Sequence, residues 1–267
     1  MTIHDPRLDR LQGHLARLER VVVAWSGGVD SSLLARVAQD TLGPEACLAI
    51  TAVSPSLPSS ELDDCRSLAL DWDLRWKVVE TDEMDRPEYR VNAADRCAHC
   101  KDALLDALGP IAAEEGATVV LGVIVDDLGD NRPGQVVASS RGADFPLVAA
   151  GLAKRDVREL SRALGLRTWD KPAAACLASR IPHGTQVTVS LLGRVERAEA
   201  ALRRLGFGRL GPLRVRHRGN SASVEVAPPE IERATRDQTV LVEAVRSAAG
   251  YREVVIDPLG YRAKSTA

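Results

Sequence analysis

The sequence predicts an α/β protein with a doubly wound parallel sheet, followed by a smaller α+β domain. Short apolar runs rich in β-branched residues alternate with segments of helical periodicity over the first two-thirds of the chain. A Gly/Ser-rich turn directly follows the first of these runs, at the edge where parallel sheets bind ligands. The alternation weakens after about residue 170. We therefore expect one domain at 1–184 and a second at 185–267.

The elements of the first domain follow from hydrophobic periodicity. Leucines at 8, 11, 15 and 18 predict an amphipathic helix over 7–20. The run 21–25 (VVVAW) suits a strand that is buried on both faces. Helical periodicity returns over 31–41 and again from Glu61. Further strands are predicted at 47–53, 76–80 and 118–125.

The second domain has a different pattern. Residues 191–205 form a strongly helical segment rich in Arg and Glu. Two segments at 213–218 and 222–226 alternate like antiparallel strands. A helix near 230–248 precedes a last strand at 253–256.

Composition limits the class of protein. Of the 267 residues, 45% are hydrophobic and 27% charged, as in globular proteins, and the net charge is −2. This balance requires no nucleic-acid or membrane partner. The N-terminal residues do not resemble a signal peptide, and no apolar run approaches the roughly 18 residues of a membrane helix. We expect a cytoplasmic protein whose five cysteines are reduced and whose paired cysteines bind metal or act in catalysis.

The turn after the first strand has the composition of a phosphate-binding loop. It reads Ser26-Gly27-Gly28-Val29-Asp30-Ser31-Ser32. Glycines allow a ligand to approach the main chain, and the N–H groups and dipole at the following helix start favour a phosphate. The hydroxyls of Ser26, Ser31 and Ser32 can donate further hydrogen bonds, and Asp30 can cap the helix or help to hold Mg²⁺.

Two glycine-rich segments of the sequence allow other interpretations. The loop could be an ordinary capped turn, and it lacks the G-x-x-x-x-G-K-[ST] pattern of P-loop kinases and GTPases. The segment 206–211 (GFGRLG) fits the dinucleotide pattern G-x-G-x-x-G. Because that segment follows a predicted helix rather than a strand, we reject it as a dinucleotide site.

Three cysteines and a pair of acids are further candidates for chemistry. Cys97 and Cys100 form a C-x-x-C pair, which by itself also fits a redox pair or a zinc half-site. Cys176 lies in a separate segment, whereas Cys47 and Cys65 fall in a predicted strand and helix and are expected to pack in the core. Asp126 and Asp127 follow a buried strand, where they suit Mg²⁺ on a pyrophosphate or, alternatively, cap a helix and face solvent. Arg132 could hold a phosphate or pair with an acid.

Four segments together resemble a known family. The 26–32 loop is similar to the pyrophosphatase loop of the N-type ATP pyrophosphatases, which split ATP into AMP and pyrophosphate. With the segments 96–101 (RCAHCK), 126–134 (DDLGDNRPG) and 171–185 (KPAAACLASRIPHGT), the chain resembles the LarE-type ATP-dependent sulfur transferases. The likeness runs from about residue 20 to residue 262, and K-P-x-x-A-C-L-A-S-R-I-P is its most specific part.

The resemblance implies a substrate and a reaction. The substrate would be pyridinium-3,5-biscarboxylic acid mononucleotide, whose carboxylates are adenylated with ATP and then converted to thiocarboxylates for the nickel-pincer cofactor of lactate racemase. Adenylation supplies the leaving group that a carboxylate lacks, and an ionised or metal-bound sulfur can then attack. The resemblance also implies a homo-oligomer and an external source of sulfide.

The family contains two sulfur-delivery variants. Members with only the equivalent of Cys176 give up its sulfur, whereas others with two more cysteines resemble cluster-bearing thiolation enzymes. Because Cys97 and Cys100 accompany Cys176 here, and three thiolates can hold a [4Fe–4S] cluster with one iron open, we favour the cluster variant.

Substrate-binding residues are predicted in the segment that contains Cys176 and in the second domain. Ser179 and Arg180 belong to the cysteine signature, and Arg180 suits an anion. Arg214 and Arg216 alternate on one face of a predicted strand, as two arms for a phosphate would, although a solvated strand face has the same pattern. Glu199 matches an acid that the family is thought to use near the substrate.

Three rival functions stay open on the sequence. An amide-forming ATP pyrophosphatase of the NAD- or asparagine-synthetase kind needs ammonia, and an N-terminal glutaminase would have Cys where Thr2 stands. A non-catalytic iron–sulfur carrier could bind nucleotide as a regulator. Against tRNA thiolation stand the near-neutral charge and the low aromatic content of 3%.

Overall fold

The computed structural model describes residues 4–128 and 133–262, which divide into two compact units. The first contains the chain up to Ser54, Ser59–Arg86 and Asp95–Ala174. The second contains Pro55–Pro58, Pro87–Ala94 and the chain from Ala175 onward. None of the helices in the described ranges is both long and apolar enough to cross a bilayer.

The first unit is built on a four-stranded parallel sheet, and the predicted α/β fold class is confirmed. The strand order is β3-β2-β1-β4, with every neighbouring pair parallel. The strands are β1 (Val21–Ala24), β2 (Cys47–Val53), β3 (Trp76–Glu80) and β4 (Thr118–Leu121).

Helices cover both faces of this sheet because β1 is apolar on both of its faces. Val21 and Val23 pack with the leucines of the first two helices, whereas Val22 packs with Leu108 and Ala112 on the opposite side. Such double burial is typical of parallel sheets. The helices of this unit are α1 (Pro6–Leu18), α2 (Val29–Leu42), α3 (Ser59–Asp71), α5 (Arg96–Glu114), α6 (Pro133–Ser140), α7 (Pro146–Ala149) and α8 (Lys154–Ala163); α4 (Pro87–Val91) lies in the second unit.

The strand predicted at 118–125 is shorter in the structure and ends at Leu121. Val123 donates its backbone N–H to the Leu121 carbonyl oxygen, which turns the chain out of the sheet. A 3₁₀ turn, Val125–Asp127, follows. The apolar residues at 123 and 124 therefore extend the sequence pattern of a strand beyond its hydrogen-bonded part.

Gly122, the first residue after β4, lies against the start of α2. A Cβ atom at this position would be 2.8 Å from the backbone nitrogen of Ser31 and 3.0 Å from its Cα. These are main-chain atoms that cannot rotate away. The glycine thus lets the end of β4 approach the predicted phosphate loop.

The second unit contains a three-stranded sheet in the order β5-β6-β7. The predicted antiparallel pairing is confirmed for β5 (Arg214–Arg218) and β6 (Ser221–Glu225), and β7 (Glu253–Ile256) pairs parallel with β6. Helix α9 (Val189–Arg204) packs on the sheet through Ala198 and Leu202. The single helix predicted near 230–248 is two helices, α10 (Ile231–Arg236) and α11 (Gln238–Ala249), because Asp237 leaves the helical conformation with φ −92° and ψ 17°.

The glycine-rich turn after α9 binds a carboxylate of the protein itself. Gly208 donates its backbone N–H to both carboxylate oxygens of Glu230, each at 3.0 Å, and Glu230 is buried. An internal acid thus holds the N–H group that a phosphate would need, which agrees with the rejection of this segment as a dinucleotide site.

We expect Gly122→Ala to weaken nucleotide binding. The added methyl group must displace the main chain at Ser31, and overpacking of this kind costs about 1–3 kcal/mol. Because about 1.4 kcal/mol corresponds to a tenfold change, the affinity for a non-hydrolysable ATP analogue should fall roughly five- to a hundredfold by calorimetry.

Gly109→Ala is the matched control for this substitution. Gly109 lies in α5, and apart from its chain neighbours and the backbone of its own helix, no heavy atom of the described structure lies within 4 Å of a Cβ there, so binding should not change. Equal affinities for the two variants would show that the close approach at Gly122 does not shape the loop.

Candidate active site

The predicted phosphate loop connects β1 to α2 and requires glycine at its second position. Gly27 has a φ of +66°, which L side chains rarely adopt. A Cβ there would also lie 2.8 Å from the Sγ atom of Cys65. Both conformation and space therefore restrict this position to glycine.

Serine hydroxyls fix the shape of the loop. The Ser31 Oγ accepts a hydrogen bond from the Ser26 backbone N–H at 3.2 Å and donates to the Gly28 carbonyl oxygen at 3.3 Å. The buried Ser32 Oγ accepts from the indole nitrogen of Trp25 at 3.3 Å. These contacts shape the main chain, while the predicted bonds from Ser26, Ser31 and Ser32 to a phosphate stay predictions.

The start of α2 has the features of an anion site. Gly28 is the N-cap residue, and within the described residues no side chain caps it. The backbone N–H groups of the first helical turn therefore remain oriented toward the loop, with the positive end of the helix dipole behind them. This arrangement fits the triphosphate of ATP.

A lysine that the sequence interpretation missed binds the loop aspartate. Lys154, the first residue of α8, places its Nζ 2.8 Å and 2.6 Å from the two carboxylate oxygens of Asp30. Burial raises the pKa of Asp30, and the adjacent Asp127 adds to this effect, whereas the Lys154 ammonium opposes it. The pair puts a cation and a potential Mg²⁺ ligand side by side at the loop.

The two acids after β4 are engaged with main-chain groups. Asp127 accepts the Ile124 backbone N–H at 3.2 Å, and Asp126 accepts the Lys154 backbone N–H at 2.5 Å. Asp126 therefore also fixes the helix that presents Lys154. Both positions retain the oxygen donors that Mg²⁺ prefers, and their predicted role in holding it stays a prediction. Arg132 lies outside the described residues.

A second lysine holds the loop from its other side. Lys171 donates to the Gly27 carbonyl oxygen at 3.1 Å and to Asp64 at 2.5 Å, and it pairs with Glu61 at 2.9 Å. Burial would lower the pKa of Lys171, but the bonds to these two acids outweigh burial and raise it. Lys171 opens the segment that the sequence singled out, yet the sequence did not reveal this contact.

The cysteines separate into two groups. Cys47 and Cys65 are buried, as predicted, and burial raises their thiol pKa values to about 12 and about 11, so both stay protonated near neutral pH. Cys97 is exposed, and Cys100 and Cys176 are half-buried. No disulfide joins any of the five. Only the second group is placed for sulfur or metal chemistry.

Cys97 and Cys100 lie in the first turn and a half of α5. Their spacing of three puts both thiols on the same side of the helix. Gly134 packs against this turn, since a Cβ there would lie 3.1 Å from the Cys97 carbonyl oxygen. Burial lowers the pKa of Lys101, the next residue, and the negative charge that Cys100 and Cys97 acquire on ionisation opposes this effect.

The second unit brings together the cysteine signature and the predicted arginines. Arg180 donates to the Cys176 carbonyl oxygen at 2.8 Å and pairs with Glu199 at 2.9 Å. Arg216 donates to the Ser179 carbonyl oxygen at 3.0 Å. Burial lowers the pKa of Arg214, and the nearby Arg180 charge adds to this effect. The predicted substrate contacts of these residues stay predictions.

A complete set of metal ligands is not formed within either unit. The described residues include no group of three His, Cys, Asp or Glu side chains that could hold a metal ion. Of the cluster ligands predicted from the sequence, Cys97 and Cys100 belong to the first unit and Cys176 to the second.

Comparison with known proteins adds to this geometry. Residues 9–101 match the NAD synthase family model. An uncharacterized protein of Synechocystis sp. is 42% identical over 261 residues, 97% of this chain and 96% of that protein. The pyridinium-3,5-bisthiocarboxylic acid mononucleotide synthase of Lactiplantibacillus plantarum is 34% identical over 252 residues, 93% of this chain and 89% of that enzyme. The chain belongs to the LarE family.

As a LarE-family protein, the chain is an ATP-dependent sulfur transferase of the PP-loop class. The NAD synthase match ends at residue 101 and so covers the phosphate loop and the C-x-x-C pair, whereas the LarE similarity continues over most of the second unit. The earlier identification from the four sequence segments is confirmed.

We expect Lys154→Met to raise the KM for ATP about tenfold. The change removes a cation within 2.8 Å of Asp30, and one charge-assisted contact is worth about 1.5–3 kcal/mol. The assay is ATP-dependent pyrophosphate release. Arg155→Met is the control, because the Arg155 side chain is 84% exposed and its ion pair with Glu159 is long, at 3.7 Å. An equal rise in both variants would point to general loss of charge and against a specific role of the Lys154–Asp30 pair.

Proposed function

We propose that the protein converts the carboxylates of pyridinium-3,5-biscarboxylic acid mononucleotide to thiocarboxylates, for the nickel-pincer cofactor of lactate racemase. The observation that supports this substrate is the similarity to the Lactiplantibacillus plantarum synthase over 93% of the chain. In this proposal the half-buried Cys176 would serve sulfur transfer, and the start of α2, which no side chain caps within the described residues, would bind the phosphates.

The first step is adenylation. A substrate carboxylate oxygen attacks the α-phosphorus of ATP, the bond from that phosphorus to the bridging oxygen breaks, and pyrophosphate leaves. The α2 N-terminus, Ser26 and Lys154 would hold the phosphates, because together they supply N–H groups, a hydroxyl and an ammonium. Bound Mg²⁺ would neutralise the leaving pyrophosphate, and Asp30, Asp126 and Asp127 have the oxygen donors for it.

The second step is sulfur transfer. A sulfur nucleophile attacks the carbonyl carbon of the acyl-adenylate, the C–O bond to AMP breaks, and AMP leaves with both electrons of that bond. The thiol chemistry of this chain fits the step, since Cys97, Cys100 and Cys176 all lie outside the core. Arg214, Arg216 and Ser179 would bind the substrate phosphate, and Arg180 and Glu199 lie next to them.

We propose that these three cysteines hold a [4Fe–4S] cluster. Cysteine thiolates are the ligands that such a cluster takes, and Cys97 and Cys100 lie on one turn of α5. Such a cluster would supply an iron with an open position for an exchangeable sulfide. The second candidate is the sacrificial route, in which Cys176 attacks and its Cβ–Sγ bond then breaks with loss of the α-proton, leaving dehydroalanine.

Three further expectations remain predictions: a cytoplasmic location, a homo-oligomer and an external sulfide source. They rest on composition and on the family, and they concern the setting of the reaction rather than its residues.

Cys176→Ser should release pyrophosphate at the parent rate and form no thiocarboxylate. The substitution replaces the sulfur atom of Cys176 with oxygen and so removes the thiol. The residues proposed for adenylation are unchanged, because they lie in the first unit. Pyrophosphate is followed with a coupled enzyme, and the product by mass spectrometry. Asp30→Asn serves as the opposite control, since it should stop both steps. A thiolating Cys176→Ser enzyme would refute the assignment of Cys176, and amide formed from ammonia by the parent would refute sulfur transfer.

Iron should reach about four per chain in anaerobically reconstituted protein, because three thiolates can hold one [4Fe–4S] cluster. Iron and acid-labile sulfide are measured with the visible spectrum. Cys97→Ala, Cys100→Ala and Cys176→Ala should each lose most of the iron, whereas Cys47→Ala should retain it, since Cys47 is buried in the sheet. Iron-free, colourless protein that still thiolates once per chain would favour the sacrificial route.

A further inference from the structure

Arg180 is a charged side chain in the interior of the second unit, with 2% of its surface exposed. All three of its guanidinium nitrogens donate hydrogen bonds to protein atoms. One of them, Nη1, bonds the carbonyl oxygens of Ala175 and Cys176 and the hydroxyl of Ser179. The guanidinium therefore contacts the peptide carbonyl groups on both sides of the Cys176 Cα.

Glu199 binds the other edge of this guanidinium. It is fully buried in α9, and its carboxylate accepts from Arg180 Nε at 2.9 Å and Nη2 at 3.2 Å. The same carboxylate accepts the Val215 backbone N–H at 3.1 Å, and Arg203 reaches it at 3.3 Å. The carboxylate of Glu199 thus joins residues 171–185, called the cysteine segment because they contain Cys176, to β5.

Arg214 and Arg216 of β5 lie on either side of Val215, whose backbone N–H donates to Glu199. Val215 is buried in the core of the unit, so Arg214 and Arg216 point to the other face of the strand. Arg216 also donates to the Ser179 carbonyl oxygen at 3.0 Å and pairs with Glu225 at 2.9 Å. The cysteine segment is consequently attached to β5 at two points.

We propose that Arg180 and Glu199 are positioning residues that hold Cys176 at a fixed place relative to the arginines of β5. The inference rests on the proposed function, in which Cys176 serves sulfur transfer and these arginines bind the substrate phosphate. Residues 170–176 contain no helix or strand, so the segment lacks backbone ladders of its own. A buried ion pair contributes little net stability compared with apolar packing, but it is strongly directional.

This role differs from direct substrate binding in a measurable way. Loss of a residue that binds the substrate raises the KM for the pyridinium nucleotide. Loss of a positioning residue leaves that KM unchanged and slows the step that needs the positioned atom, because misplacement by about 1 Å can cost about a hundredfold in rate.

The test uses Arg180→Lys, which retains the charge facing Glu199 but cannot bond the carboxylate and both carbonyl oxygens at once. With the pyridinium dicarboxylate nucleotide, ATP, Mg²⁺ and sulfide, pyrophosphate release and its KM should stay within about twofold of the parent, while thiocarboxylate formation falls at least about tenfold. Hydrogen exchange in the 174–182 peptide should become faster. Glu199→Gln should give the same separation and provides the test if Arg180→Lys does not fold.

Arg203→Gln is the matched control, because Arg203 contacts the same carboxylate but no residue of the cysteine segment in the described structure. It should retain parent thiolation and exchange. Parent thiolation with unchanged exchange in Arg180→Lys, or a raised nucleotide KM as its main effect, would overturn the proposal. A parent enzyme that forms no thiocarboxylate would refute the proposed function instead, and the exchange of the 174–182 peptide would still decide whether Arg180 positions the segment.

Discussion

The parallel pairing of β1 with β4 is the constraint on which the geometry of the predicted phosphate loop depends. Ala24 pairs with Leu121, so the two strands end side by side and their loops begin at the same edge of the sheet. Gly122 can then touch the main chain at Ser31, and Asp127 comes near Asp30 although 97 positions separate them in the sequence. A shift of this register by one residue would separate the phosphate loop from both partners.

The sequence predicted those parts of the fold that depend on local patterns. Continuous apolar runs predicted β1 and β2, and leucine spacing predicted α1, because burial follows directly from periodicity in these segments. The segment 76–80 was predicted as β3 although only three of its five residues are apolar. The pattern failed at 123–124, where apolar residues leave the sheet, and at Asp237, where a polar residue of unremarkable type divides a helix. Hydrophobicity reports burial, and it does not report which backbone groups are paired.

The sequence predicted those residues of the candidate site that belong to a motif. It missed the contacts between residues that are far apart in the sequence and close only in the folded structure. The loop glycines and the cysteines can be identified in the sequence from composition and spacing. Lys154 stands in a run of charges that resembles a solvated helix face, and 124 positions separate it from Asp30. Arg180 was recognised as part of a signature, but its contacts with Cys176 and Glu199 depend on α9 and β5. Long-range ion pairs of this kind leave no trace in a single sequence.

The second unit is not one continuous stretch of chain. Ser56 accepts the Leu177 backbone N–H at 2.8 Å, and the Asn92 side chain donates to the carbonyl oxygens of Pro182 and Thr185. The residues in contact are thus some 90 to 120 positions apart in the sequence, so the early segments can pack only after the later ones have been synthesised. Contacts of such long sequence separation slow the folding of this unit. If the part of the chain from Ala175 onward were fused to another protein, it would lack residues 55–58 and 87–94, which belong to the same unit. The second unit can therefore be transferred to another protein only together with the part of the chain that carries residues 55–58 and 87–94.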